Sequence, residues 1–355
     1  MRNESLKRKK TVLIATGGTG GHIFTGIALE EALNELARIV FVTSYYGLGK
    51  HILAKRGYKY YLIHARGVVG KSFFGKLLFG ITLILGLFMS TFIILRERPV
   101  CVIGTGGFAS FSPIFVAHMF GIYTLITEID SIPGLATKVL SRFVDEVHLA
   151  LQQAKKHLRR KHKVFVSGFP VRKEIKSITR QDDKRTIFVF GGSQGAHGIN
   201  LLMLDAIKYL PKGYKIIWQT GVLDYEFVKS SVNYDGIEIY KFIDNMAQFY
   251  KRATLGVTRA GALTIAEISA VRLPCILIPF PHAAKKHQDY NAKLIESIGA
   301  GIVIKETELS GKLLGEKLIE LLNDQEKLKS MQEKLSIIKV NGADSIKKRL
   351  EKCLA

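Results

Sequence analysis

The sequence predicts an α/β protein made of two nucleotide-binding-type halves, each a parallel sheet flanked by helices. Three observations carry this reading. Short β-branched runs stop at glycine-rich loops that open into helical patterns, which is the repeating unit of a parallel sheet. That unit recurs in two separated series, one starting at residue 11 and one at residue 186. A chain of 355 residues also exceeds what one hydrophobic core usually fills.

In chain order, a basic leader, MRNESLKRKK, precedes the strand run TVLIA, whose apolar stretch is too short for a signal-peptide core, so no export signal is expected. TVLIA stops at TGGTGGH (16–22), and HIFTGIALEEALNEL follows with helical spacing. IVFVTSYY supplies a second strand. YYLIHA (60–65) and PVCVIG (99–104) read as adjacent parallel strands joined by a long apolar crossover, and PVCVIG runs into TGGF (105–108). Near SGFPVRKE (167–174) a Gly and a Pro interrupt the pattern, which predicts a domain boundary. In the second series TIFVF meets GGSQGAHG (191–198), and LGVTR leads through AGAL to the helical TIAEISAVR and the strand PCILIPF. The lysine-rich end is helical in composition. The expected domains are 1–168 and 169–339, with a C-terminal helix at about 340–355 packing back on the first.

With 47% hydrophobic and 23% charged residues the chain is globular rather than disordered. Lys and Arg number 52 against 30 Asp and Glu, a net +22 that attracts phosphorylated substrates or an anionic membrane face. Nucleic acid is not an expected partner, because the basic residues are dispersed and neither zinc-finger spacing nor an RNP-type aromatic motif occurs. Cys101, Cys275 and Cys353 lie far apart, which predicts reduced thiols and no metal cluster.

Glycines directly after a buried strand let a phosphate approach the backbone, and the next helix offers free N–H groups and a positive dipole end. Three such loops point to a nucleotide or diphosphate ligand. None spells G-x-G-x-x-G, the second strand ends without an acidic residue for a ribose diol, and no GK[ST] follows. These absences weigh against an NAD-dependent oxidoreductase and against a P-loop enzyme.

GGTGGHIFTGIALEEAL, GTGGFASFSP, EIDSIPGLATKVLSRF, GFPVR, FGGSQGAHGIN, FIDNMAQFY, RAGALTIAEI and HQDYNA occur in this order across nearly the whole chain. Together they resemble the MurG family of peptidoglycan N-acetylglucosaminyltransferases. The resemblance implies a GT-B fold, two Rossmann-like domains with parallel sheets facing across a cleft. It implies transfer of GlcNAc, with inversion, from UDP-GlcNAc to the C4 hydroxyl of the muramoyl unit of lipid I, giving lipid II and UDP. It further implies a peripheral protein on the cytoplasmic face of the inner membrane. No cofactor and no metal are expected, since no DxD pair occurs. A related glycosyltransferase that uses diacylglycerol is the nearest alternative.

Carried over residue by residue, the resemblance places Thr19, Gly20 and Gly21 against the donor sugar and diphosphate, and Thr105, Gly106 and Gly107 against the acceptor diphosphate. His22, at a helix start, is the first candidate for the general base, since a neutral imidazole can take a proton from a hydroxyl. Asp130 is the second candidate: the family has EQN where this chain reads Glu128-Ile129-Asp130, so an amide becomes a carboxylate that, ionised, only accepts. After TGGF, ASFSP departs from the family's SGP. Arg172 matches an arginine that reaches UDP, Ser193 a donor-binding serine, and Ile243 a backbone position that reads uracil. Ala262, Leu263, Thr264, Ile265, Ala266 and Glu267 open a helix on which Glu267, read as a first-turn residue, takes the ribose hydroxyls; Gln288 reads the sugar hydroxyls.

Leu77 to Leu95 is 19 residues without charge, long enough as a helix to cross a bilayer. Topology argues against a span, because a βαβ crossover must return to its own sheet. Thr82, Gly86 and Ser90 form one small-residue stripe suited to close packing. The remaining surface is apolar all round, so Phe73, Phe74, Leu77, Leu78 and Phe79 are expected to dip into the membrane interface, with flanking Lys and Arg at the headgroups.

Overall fold

The computed structural model describes residues 9–67, 73–159, 163–181, 185–192, 195–283 and 286–354. It divides into two compact units, one ending at Arg172 and regaining the chain from Asn341, the other spanning Lys173–Val340. The boundary therefore falls after Arg172 rather than at 168. Phe169 and Val171 are buried, the carbonyl of Phe169 accepts from the N–H of Gly342 (3.0 Å), and Pro170 bridges to Asn341, so these residues are fastened to the first unit.

The first unit runs β1 (Thr11–Ala15), α1 (Gly20–Leu33), β2 (Arg38–Ser44), α2 (Gly49–Lys55), β3 (Tyr60–Ile63), α3 (Phe73–Glu97), β4 (Cys101–Gly104), α4 (Phe111–Met119), β5 (Tyr123–Glu128), α5 (Leu135–Leu140), β6 (Glu146–Leu149) and β7 (Val164–Val166), and is completed by the C-terminal helix Gly342–Leu354. Its seven strands are parallel in the order β3-β2-β1-β4-β5-β6-β7. Alternate residues of the central strands enter different cores. Leu13, Val40 and Val102 pack under α3 and α4, whereas Val12, Ile14 and Phe41 pack under α1 and the C-terminal helix through Ile346 and Leu350. That helix is also pinned to β6 by Arg349, whose Nε donates to Glu146 Oε2 (2.8 Å) and whose guanidinium lies 3.7 Å from the Phe165 ring centre.

β3 and β4, expected as neighbours, are separated by β2 and β1. Their shared sheet still forces α3 to return to it, and the connection must now cross three inter-strand spacings, about 14 Å. The Thr82–Gly86–Ser90 stripe faces inward: Thr82 and Ser90 are buried, and a Cβ on Gly86 would come within 2.6 Å of the His64 carbonyl.

Glu97 locks the end of α3. Buried itself, it accepts from Lys59 Nζ and the Tyr61 hydroxyl, each at 2.6 Å, and from Arg38. Burial alone would raise its carboxyl, but the three donors bring it down to about 2. A carboxyl depressed by folding contributes stability above its unfolded value of 4.5 and loses it as pH falls through the folded value. Glu97→Gln is expected to cost about 2 kcal/mol at neutral pH. Urea titrations of both proteins between pH 7 and pH 2 should show this difference shrinking between about 4.5 and about 2.

The second unit runs α6 (Lys173–Lys176), β8 (Thr186–Phe190), α7 (His197–Ala206), β9 (Lys215–Gln219), α8 (Tyr225–Ser231), β10 (Ile237–Tyr240), α9 (Met246–Arg252), β11 (Leu255–Thr258), α10 (Ala262–Ala270), β12 (Cys275–Leu277), α11 (His287–Ser297), β13 (Ile302–Val303), α12 (Gly311–Asn323) and α13 (Gln325–Leu335). Its parallel sheet has the order β10-β9-β8-β11-β12-β13. In both units the chain starts mid-sheet, moves to one edge and then crosses to the other side of its first strand. The switch points lie between β1 and β4 and between β8 and β11, and the glycine loops leave the sheets there.

Candidate active site

At the first switch point the loops after β1 and β4 pack on each other around His22. His22 Nδ1 lies 3.1 Å from the Gly17 carbonyl and 3.3 Å from the Thr19 hydroxyl. A carbonyl only accepts, so this bond assigns the Nδ1–H tautomer to the neutral ring and leaves a lone pair on Nε2. Gly106 and Gly107 have φ of 90° and 72°, in the region that favours glycine. A Cβ at 106 would sit 3.1 Å from His22 Nε2, and one at 107 would sit 2.6 Å from the Gly17 carbonyl. Glycine at both positions therefore lets the loops meet while keeping Nε2 uncovered. The Thr105 side chain is buried; its hydroxyl donates to the His22 carbonyl (3.0 Å) and lies 2.9 Å from the Thr16 hydroxyl, so it positions α1 rather than facing a ligand. Thr19, Gly20 and Gly21 cap and open α1, with its first backbone N–H groups.

Glu128 is a site residue that the sequence did not single out for a role. It is buried at the end of β5 and accepts from the N–H of Asp130 on Oε1 (3.1 Å) and of Gly134 on Oε2 (3.0 Å). Burial first, and the neighbouring Asp130 charge second, raise its carboxyl above the ordinary range, while His22 works in the opposite direction. Asp130 is half-buried on the loop that Glu128 organises. Arg172, expected in the second domain, belongs to the first unit, and it is not a solvated linker charge: it is buried with its guanidinium 4.4 Å from the Phe24 ring centre.

In the second unit Ser193 lies outside the described residues, although its loop starts at Gly191–Gly192 directly after β8. Gln219, which has no motif around it in the sequence, organises this end of the sheet. Its Nε2 donates to the Gly192 carbonyl (2.8 Å), and its Oε1 accepts from the N–H of Ile243 (2.8 Å). The Ile243 N–H expected for a uracil edge is thus already engaged, while its side chain is core. Glu267 is not in the first turn of α10, which begins at Ala262; it is buried in the next turn and accepts from the Tyr250 hydroxyl (3.0 Å). Ala262, Ile265 and Ala266 are buried, and Leu263 and Thr264 are half-buried, so the helix start can offer backbone N–H groups and the Thr264 hydroxyl. Gln288, on α11, accepts from the Phe280 N–H through Oε1 (2.9 Å), which directs its amide nitrogen to any further partner.

Along α3 the side chains of Phe73, Phe74 and Leu77 lie outside the described residues. Leu78 is exposed, but Phe79 is half-buried and turned to a cavity wall. From Leu78 onward the exposed apolar surface continues toward the end of the helix: Ile81, Ile84, Leu85, Phe88, Phe92 and Leu95 all face outward. α4 packs beside α3 and ends on exposed Met119, followed by exposed Phe120.

Residues 12–149 match the glycosyltransferase family 28 N-terminal domain, and residues 186–350 match the glycosyltransferase family 28 C-terminal domain. A UDP-N-acetylglucosamine–N-acetylmuramyl-(pentapeptide) pyrophosphoryl-undecaprenol N-acetylglucosamine transferase from Myxococcus xanthus is 38% identical over 339 residues, 92% of this chain and 88% of that protein. One of the same name from Syntrophus aciditrophicus is 38% identical over 357 residues, covering 97% and 98%. The crystal structure of Acinetobacter baumannii MurG superposes with a TM-score of 0.77 at 25% identity, covering 97% of this chain and 99% of that one. Paired parallel sheets with glycine loops at their switch points agree with these matches, and the chain belongs to glycosyltransferase family 28, within the MurG family of GT-B enzymes.

Proposed function

We propose that the chain moves GlcNAc from UDP-GlcNAc to the C4 hydroxyl of the muramoyl unit of lipid I, with inversion, forming lipid II and UDP. The bond from the sugar C1 to the UDP oxygen breaks, a bond from C1 to O4 of the acceptor forms, and the hydroxyl proton passes to the base. The observation that carries this reading is the His22 ring, fixed by the Gly17 carbonyl with Nε2 uncovered among the two glycine loops. His22 Nε2 is the base. Asp130 aids by orienting the acceptor, with Glu128 setting its loop.

The first unit takes the acceptor diphosphate at the Gly106–Gly107 backbone, and Thr19, Gly20 and Gly21 support a diphosphate with the α1 dipole. Arg172 stabilises the charge that develops on the leaving UDP. The second unit carries the donor: the loop holding Ser193 and the start of α10 meet phosphate, Glu267 the ribose, the Ile243 backbone carbonyl the uracil, and Gln288 the sugar through its amide nitrogen. The exposed α3 face, with exposed Arg96 and Arg98 beside it, rests on the anionic cytoplasmic leaflet as a peripheral contact.

Transfer of labelled GlcNAc from UDP-GlcNAc to lipid I, run beside diacylglycerol as acceptor, tests the assignment. Product on lipid I alone is the expected result; product on diacylglycerol alone would overturn it.

A further inference from the structure

Two cavities adjoin on the first unit. One, of about 480 Å³, reaches Gly18, Tyr46 and Leu78; the other, of about 260 Å³, is walled by Phe79, Leu83, Phe111, Leu135 and Val139. Both are bounded by Ala65, Arg66 and Phe108. Phe108 directly follows the Gly106–Gly107 loop. The Arg66 guanidinium, 3.9 Å from the Tyr46 ring centre, is a cation at the shared rim.

We propose that the smaller cavity holds the first two isoprene units of the polyprenyl diphosphate acceptor, an inference that rests on the function proposed above. Four features of the cavity point to this occupant. Its wall is mostly carbon, so it favours a hydrocarbon over a sugar or peptide. A cavity of about 150 Å³ accommodates the six carbons of benzene, so about 260 Å³ suits about ten carbons, or two isoprene units. Its rim abuts the glycine loop, so a diphosphate seated there places its first prenyl carbons beside Phe108 and its charge beside Arg66. Finally, Phe79, Thr82 and Leu83 of α3 line the cavity while Leu78, Ile81, Ile84 and Leu85 of the same turns face outward. A chain leaving the cavity therefore continues along the apolar face of the helix. The cavity would fix the diphosphate and the attached sugar through the prenyl root while the rest of the tail stays in lipid.

The test uses detergent-free acceptor analogues whose diphosphate carries a methyl group or one, two, three or four isoprene units. For the parent enzyme kcat/KM is expected to rise about tenfold with each of the first two units and less than about threefold with each later one. Ala136→Phe and, separately, Val139→Phe fill the cavity from α5. Each should flatten the first two steps while leaving KM for UDP-GlcNAc, turnover of the methyl analogue and the melting temperature near parental. A binding readout that does not need turnover is calorimetry with farnesyl diphosphate and inorganic diphosphate. The parent should bind the former at least about 30-fold more tightly, and the filled variants should lose that preference. Equal binding of the two probes by the parent, or a chain-length dependence kept in both variants, overturns the proposal. Preferential farnesyl binding without GlcNAc transfer to any acceptor would instead sink the assigned reaction and leave the prenyl cavity standing.

Discussion

His22→Ala is expected to lower kcat for GlcNAc transfer by about 10²- to 10⁴-fold while changing KM for UDP-GlcNAc by less than about threefold. The physical basis is the pairing of the two ring nitrogens. Nδ1 is committed to the Gly17 carbonyl, and Nε2 is kept open by glycine at 106, where a Cβ would stand 3.1 Å away. Alanine removes the only imidazole at this switch point among the described residues and also the bond to Gly17, a loss of about 1 kcal/mol that a melting curve would register separately from kcat. Asp130→Asn is the comparison. It restores the family amide and removes the like charge that helps raise the Glu128 carboxyl, so its kcat is expected to stay within about tenfold of the parent. If Asp130→Asn instead lost the larger factor and His22→Ala the smaller, the base would be Asp130.

Replacing Phe88 and Phe92 together with serine is expected to weaken binding to anionic vesicles by about 30- to 300-fold. Each ring is largely exposed, at 72% and 60%, so its replacement costs the fold little, whereas moving the exposed part of each ring into lipid is worth about 1 to 1.7 kcal/mol. Vesicle co-sedimentation at two salt concentrations measures the effect. The residual binding of the double variant should be the more salt-sensitive, because Arg96 and Arg98 then supply most of it. Turnover of a soluble short-tail acceptor should be unchanged. Phe79→Ser would be a poorer probe, because Phe79 lines the cavity beneath the helix and its loss would disturb packing as well. Vesicle affinity equal to that of the parent would remove α3 as the docking element.

Much of this organisation is legible in the chain because strands, glycine loops and helices are local features. TVLIA followed by TGGTGGH, and TIFVF followed by GGSQGAHG, announce a strand and its phosphate-type turn without reference to anything distant. The small-residue stripe of α3 was equally readable, since its period is that of a helix, and it does face the domain. Gln219 and Glu128 could not be read in the same way. Each ends its strand without a motif to mark it; the importance of Gln219 comes from the Gly192 carbonyl and the Ile243 N–H, 27 and 24 residues away, and that of Glu128 from the way the following loop folds back to present the N–H groups of Asp130 and Gly134.

The sequence by itself determined that two parallel-sheet units exist, where their glycine loops lie and which helix is too apolar to be fully covered. Tertiary structure decided that β3 and β4 stand three positions apart, that Arg172 packs on Phe24 within the first unit, and which side of α3 faces outward. The division follows the range of the interactions. Backbone turns and side-chain periodicity are set within a few residues, whereas strand order and the burial of one helix face depend on segments far away in the chain, as Ile346 and Leu350 packing with Val12 and Ile14 illustrate.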